Sequence, residues 1–259
     1  MELNKIYNED CLVGMKKIPD NSVDLIVTSP PYNIKKKYKS YKDDLSLQEY
    51  LTFLKEVLYE CSRILKAKGN VMFNVGSYID KQGNAIPISY FIFNMLDDLG
   101  LKFRQEIVWY FQGGLSATKK LSARYENILW LYKEDYIFNL DDIRIKEWKQ
   151  IDKRNNPNGK NPTNVWEINR VAYGSKEKTE HPAQFPITMI ERLIKGWSNE
   201  NDIVLDPFMG SGTTAIAAIN TNRNYIGFEM DEEYYKASIE RINNHVKDKQ
   251  IDLFEILDN

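Results

Sequence analysis

Two short clusters carry the residue types that could do chemistry. The first is Ser29-Pro30-Pro31-Tyr32, directly after the apolar run Val23-Asp24-Leu25-Ile26-Val27-Thr28. Such a run reads as a buried strand, and the carboxyl ends of strands are where open α/β sheets carry their sites. Two prolines remove two backbone donors and stiffen the loop, leaving carbonyls that can only accept hydrogen bonds. This suits an amine whose lone pair is delocalised into an aromatic ring. Acceptors on its two N–H groups, the Ser29 hydroxyl and the Pro30 carbonyl, would localise that lone pair toward an electrophile. The Tyr32 ring offers a surface on which a planar substrate would stack. Taken alone, the same four residues are also a rigid strand exit.

The second cluster is Asp206-Pro207-Phe208-Met209-Gly210-Ser211-Gly212-Thr213-Thr214, again after an apolar run, Ile203-Val204-Leu205. Gly210 and Gly212 would let the backbone approach a ligand where a Cβ would collide. The spacing is neither GxGxxG nor a Gly-Lys-Ser/Thr phosphate loop, so nothing asks for a pyrophosphate or a triphosphate. After one helix a further strand runs to Glu229, about 20 positions beyond the turn, where a carboxylate can accept from both hydroxyls of an unphosphorylated ribose.

Together the two clusters resemble the amino-methyltransferases of DNA, the N4-cytosine and N6-adenine family, over most of the chain. The family's signatures are (Asp/Asn/Ser)-Pro-Pro-(Tyr/Phe) and Asp-Pro-Phe-x-Gly-Ser-Gly-Thr-Thr. The catalytic turn precedes the cofactor turn, an order that resembles the β group. The resemblance implies a circularly permuted, Rossmann-like methyltransferase fold with S-adenosylmethionine as cofactor. It implies that Asp206 and the turn from Phe208 through Gly210, Ser211, Gly212 and Thr213 hold the methionine part, with Phe208 toward the adenine. Glu229 would bind the ribose and Asp10 would touch the adenine. Ser29, Pro30, Pro31 and Tyr32 would form the catalytic centre around a base flipped out of DNA. The segment Thr179-Glu180-His181-Pro182-Ala183-Gln184-Phe185-Pro186 is similar to a further family motif, with Phe185 where the family often has Lys. Arg124-Tyr125-Glu126-Asn127 resembles another near the target base, and a strand start explains it nearly as well. Ser at the first position of the catalytic motif associates with cytosine N4 in the family, whereas Asp is the usual adenine choice. Cytosine N4 is therefore expected, and adenine N6 is the alternative. Methylation at cytosine C5 would need a thiolate, usually from a Pro-Cys turn, and neither Cys11 nor Cys61 follows a proline.

Double-stranded DNA with a short recognition sequence is the expected partner. Lys35, Lys36, Lys37, Lys39 and Lys42, interleaved with Tyr38 and Tyr41, directly follow the catalytic turn, where they could close on phosphates. Residues 144–178 hold nine Lys or Arg against four acids. The enclosing segment 141–180, rich in Asn, Pro and Gly, falls where the family has its target-recognition region. Arg154 and Lys160 are expected DNA contacts there. The resemblance also allows a homodimer and a cognate restriction endonuclease as partners. The rival enzyme readings are methylation of RNA or of a protein amine, and the rival outside catalysis is a DNA-binding relative that has lost activity. Intact versions of both turns favour the enzyme.

Strand-like and helix-like stretches alternate almost throughout, the pattern of a mostly parallel sheet with helices on both faces. Seven strands are predicted, at 4–7, 23–28, 70–75, 103–110, 127–132, 203–206 and 225–229. Helices are predicted at 46–65, 88–99, 186–197, 213–220 and 232–245. The 259 residues, 42% hydrophobic, suffice for one catalytic domain (1–259) with 141–180 as an insert. Two cysteines and two histidines exclude a disulfide framework and leave zinc chemistry little to work with, so no metal is expected. No run is long and apolar enough for a bilayer, and the start lacks a signal peptide's pattern, so a cytoplasmic location is expected. A net charge of −2 says little about a polyanion partner, because local charge decides that.

Overall fold

A computed structural model of the chain describes residues 1–34, 43–113, 117–118, 121–146 and 157–257. Its strands are β1 (Lys5–Tyr7), β2 (Val23–Thr28), β3 (Leu65–Val75), β4 (Ser77–Ile79), β5 (Ala85–Pro87), β6 (Lys102–Tyr110), β7 (Tyr125–Tyr132), β8 (Val165–Glu167), β9 (Ile203–Asp206) and β10 (Asn224–Phe228). Its α-helices are α1 (Cys11–Met15), α2 (Leu47–Ile64), α3 (Ile88–Met95), α4 (Ile187–Trp197), α5 (Thr213–Asn220) and α6 (Glu232–Leu257).

Every residue of β2 is buried, as a central strand covered on both faces requires. Leu25 and Val27 point into one apolar cluster and Ile26 into the other, the two-residue period of a strand. Helices α1, α2 and α3 pack on the Ile26 face, and α4, α5 and α6 on the opposite one. Helix α2 starts sharply because Ser46 and Glu49 form a reciprocal capping box, the Ser46 amide donating to Glu49 Oε2 at 2.9 Å.

The main sheet runs β1-β10-β9-β2-β3-β7-β6-β8. Among the described residues, only the β3–β7 and β7–β6 pairs of this sheet are antiparallel. The mostly parallel architecture is as expected, but among the described residues the predicted seven strands become eight in this sheet. The additional one, β8, pairs in parallel with β6 at the far edge and lies inside the 141–180 insert. Three residues, Val165-Trp166-Glu167, are too short for a periodic signal. The five-residue α1 and the β4–β5 ribbon escape sequence reading for the same reason. Helix α6 continues well past His245, because Lys247, Asp248, Lys249 and Gln250 extend a helix without marking an apolar face.

The pairing that matters most joins β2 to β9. Leu25 lies beside Val204 and Ile26 beside Leu205, although about 180 residues of chain separate the two strands. Their crossovers leave on opposite faces of the sheet, α2 after β2 and α5 after β9. This is a topological switch point, where a crevice opens at the carboxyl ends.

Candidate active site

Both chemical clusters sit at that crevice. Ser29-Pro30-Pro31-Tyr32 leaves the end of β2 and Pro207 to Ser211 leaves the end of β9, and both line one cavity of about 480 Å³, whereas Gly212 does not line it. A volume of that size suits a small-molecule cofactor. The strand ends are tied through Asp206, which is buried: its Oδ1 accepts from Thr28 Oγ1 at 2.7 Å and from the Phe208 amide at 3.0 Å, and its Oδ2 accepts from Thr214 Oγ1 at 2.6 Å. Burial pushes its carboxyl up to about 6, against those hydrogen bonds. Asp206 was expected to hold the cofactor's methionine part. It lines the cavity, but three protein donors already occupy its carboxylate, so its first work is joining β2, β9 and α5.

The two glycines have a further reason beside the one the sequence suggested. Gly210 (φ 52°) and Gly212 (φ 78°) both adopt left-handed backbone, which disfavours a side chain. A Cβ on Gly210 would stand 2.9 Å from the His181 ring, and one on Gly212 would stand 3.2 Å from Ser238 Cβ on α6. Close approach is thus to the protein's own second layer. His181 in turn meets Tyr234 edge to face at 4.8 Å. From α6, Arg241 reaches back to the turn, donating to the Ser211 carbonyl at 2.8 Å and to Thr213 Oγ1 at 3.0 Å. Sequence reading missed Arg241, which is one charged residue among many on a long helix.

Glu229 follows β10 directly. Its Oε2 accepts from the Gly210 amide and its Oε1 from the Asp231 amide, both at 2.9 Å. Burial, opposed by these two bonds, pushes its carboxyl up to about 7. It lines the cavity as expected, with both oxygens oriented by backbone donors. Asp10 also lines the cavity and is the N-cap of α1, its Oδ1 accepting from the Leu12 and Val13 amides. Phe208 lines it too and meets Phe53 edge to face at 5.9 Å.

In the turn after β2, the Ser29 hydroxyl donates to Tyr32 Oη at 2.9 Å, and Tyr32 Oη donates to Glu126 Oε2 at 2.7 Å. Asn74 Nδ2 donates to Tyr32 Oη and, at 2.9 Å, to Glu126 Oε2. Burial first, and then the Glu126 carboxylate, hold the Tyr32 hydroxyl well above its ordinary range, so it keeps its proton. One flank of the Tyr32 ring covers Gly76, where a Cβ would stand 2.8 Å from Cδ2. The turn's exit is fixed by Asp43, whose carboxylate accepts from the Asn33 and Ile34 amides at 2.8 and 3.0 Å.

The described part of residues 141–180, the expected insert, is rooted more firmly than its loop-like sequence implies. Trp166 turns inward between β6 and α4, with the Arg192 guanidinium 4.3 Å from its ring centroid. Ile145 and Lys160 exchange backbone hydrogen bonds at 3.0 Å, and Lys160 itself is exposed. Arg170 leaves the insert toward the cavity. It pairs with Glu126 Oε1 at 2.7 Å, and its guanidinium lies 3.7 Å from the Phe111 ring centroid. Lys35, Lys36, Lys37, Lys39 and Arg154 lie outside the described residues. Among the described residues, no helix is long and apolar enough to cross a membrane.

Comparison with known proteins supplies context for this site. The DNA methylase family N6_N4_Mtase matches residues 23–240. The type II methyltransferase M.BglII of Bacillus subtilis is 44% identical over 244 residues, covering 90% of this chain and 67% of that protein. The DNA adenine methyltransferase YhdJ of Escherichia coli (strain K12) is 38% identical over 259 residues, covering 93% of this chain and 83% of that protein. Among solved structures, PvuII DNA methyltransferase (cytosine-N4-specific) matches with a TM-score of 0.75 at 23% identity, over 91% of this chain and 84% of that one.

Proposed function

Because the chain belongs to the N6/N4 DNA methylase family, whose methyl donor is S-adenosylmethionine, and is an amino-methylating DNA methyltransferase, we propose that cytosine N4 is the atom it methylates. The observation that carries the reading is the shared cavity. Ser29 and Pro30 at the end of β2 face the same space as Gly210 and Glu229, which follow β9 and β10. Within it, Glu229 accepts the ribose hydroxyls, Asp10 and Phe208 border the adenine, and the turn from Gly210 to Thr213 borders the methionine part. The cofactor supplies a methyl group on a positively charged sulfur. Ser29 Oγ and the Pro30 carbonyl accept the two N–H groups of the base amine, drawing its lone pair out of the ring and toward that methyl. Pro31 keeps the turn rigid, and the Tyr32 ring flanks the flipped base.

Cytosine rests on Ser29, by its association within the family. Adenine N6 is the second reading, favoured by the 38% identity to a protein named a DNA adenine methyltransferase. In either case residues 141–180 act as the target-recognition insert of a single catalytic domain, with Lys35, Lys36, Lys37, Lys39, Arg154 and Lys160 contacting DNA phosphates. We further propose a cytoplasmic location and a cognate restriction endonuclease as partner, a reading supported by the similarity to a protein named a type II methyltransferase.

Incubation with labelled S-adenosylmethionine and unmethylated DNA, followed by nucleoside mass spectrometry, tests the assignment. N4-methylcytosine is the expected product. N6-methyladenine would replace cytosine by the second reading, and label confined to RNA or protein would overturn both.

A further inference from the structure

A serine hydroxyl has one hydrogen to give and two lone pairs, so its value to an amine substrate depends on where that hydrogen is sent. Here the direction is forced by its neighbours. Glu126 Oε2 can only accept, and it takes the Tyr32 hydrogen at 2.7 Å. The same oxygen takes an Asn74 Nδ2 hydrogen at 2.9 Å, which sets the orientation of that amide and presents its NH2 group to Tyr32 as well. With its own hydrogen on the carboxylate and Asn74 donating to it, Tyr32 Oη can only receive from Ser29, 2.9 Å away. The Ser29 hydrogen therefore points away from the substrate side, and its lone pairs are left for the cavity. Glu126 is kept in place by Arg170, which holds the other carboxylate oxygen at 2.7 Å.

We infer that Glu126, clamped by Arg170, is a positioning residue for methyl transfer: acting through Tyr32, it locks Ser29 as a pure acceptor. This rests on the reading of Ser29 as a partner of the substrate amine. The chain of bonds does two things. It polarises Ser29 toward stronger acceptance, since each donor in a series strengthens the next. It also makes the site select amino from keto bases, because a thymine or guanine carbonyl oxygen would face lone pairs with no hydrogen between them. Arg170 comes from the insert and Glu126 from β7, so the clamp also links the proposed DNA-reading segment to the reacting group.

The test compares Glu126→Gln, Tyr32→Phe, the double variant and Ser29→Ala in full-length protein. Methyl incorporation is measured into unmethylated plasmid DNA that the unaltered enzyme modifies, with S-adenosylmethionine affinity measured separately. Tyr32→Phe keeps the ring and removes only the relaying hydroxyl, so it carries the test even if Glu126→Gln folds poorly. Each single change is expected to lower kcat about 10- to 100-fold, the scale of a lost charge-assisted hydrogen bond. Cofactor affinity should stay within about twofold. The double variant should be no slower than the slower single one, because both cut the same chain. Unchanged kcat in Glu126→Gln, losses that multiply in the double variant, or cofactor affinity falling in step with kcat would overturn the inference. If Ser29→Ala retained full kcat, the underlying reading of Ser29 would fall instead, and the inference with it.

Discussion

Replacing Glu229 by Gln should flatten the pH dependence of cofactor binding. The carboxylate sits between the Gly210 and Asp231 amides, and burial raises it from an ordinary 4.5 to about 7 in the cofactor-free protein. If its ionised form receives the ribose hydroxyls, binding requires loss of that proton. At pH 5.5, about 1.5 units below the raised value, affinity should be about 30-fold weaker than at its high-pH plateau, a difference of about 2 kcal/mol. Isothermal titration with S-adenosylmethionine from pH 8.5 to 5.5, on both proteins, measures this. The cofactor's own amino group titrates in that range, and taking the difference between the two proteins removes its contribution. The slope that survives in Glu229→Gln comes from the cofactor's amino group and from Asp206, raised to about 6. Parallel slopes in the two proteins would refute the ribose assignment. The sign for stability is opposite in sense. A carboxyl raised on folding stabilises the cofactor-free chain fully below about pH 4.5, and that contribution is lost as pH rises through about 7, with a ceiling of about 3 kcal/mol.

Three further outcomes are expected. Tyr32→Ala should cut turnover at least about 10-fold while cofactor affinity changes little, because it removes both the ring proposed to flank the base and the partner of Ser29; separate kcat and affinity measurements check this, and equal losses in both would speak against it. Gly210→Ala forces a Cβ to 2.9 Å from the His181 ring at a backbone angle that side chains disfavour, so denaturant unfolding should show a loss of about 1–3 kcal/mol, with weaker cofactor binding. Thr28→Val removes one of the donors on buried Asp206 and should cost about 1–3 kcal/mol in the same assay; a neutral result would mean that the β2–β9 tie carries little.

How far the molecule can be read before it is seen depends on the range of the interaction. Strands β2 and β9 are legible because a buried strand is a local run of apolar residues, and the turns after them because proline and glycine act on their own backbone. That β2 and β9 are neighbours is a long-range pairing which no local pattern records. Glu126 illustrates the limit. The segment Arg124-Tyr125-Glu126-Asn127 is visible as a strand start, but its tie to Tyr32 depends on the β3–β7 register that sets Asn74 opposite Ile128. Arg170 is visible only as one of nine basic residues in the insert, and its ion pair with Glu126 distinguishes it from the rest. Glycines 210 and 212 are correctly marked as special for an incomplete reason, since His181 and Ser238, which crowd them, are brought there by the fold.

The Thr28–Asp206 tie has a consequence for biosynthesis. The turn after β2 leaves the ribosome first, and Asp206 at the end of its partner strand is made 178 residues later. Until β9 and β10 emerge, the end of β2 lacks its β9 neighbour and most of the cavity's walls, so on the proposed site assignment a growing chain has no closed site with which to capture the methyl donor. Cofactor binding then becomes a late checkpoint on synthesis: only a chain that has brought β2 and β9 together acquires the ligand, and with it the extra stability that binding confers.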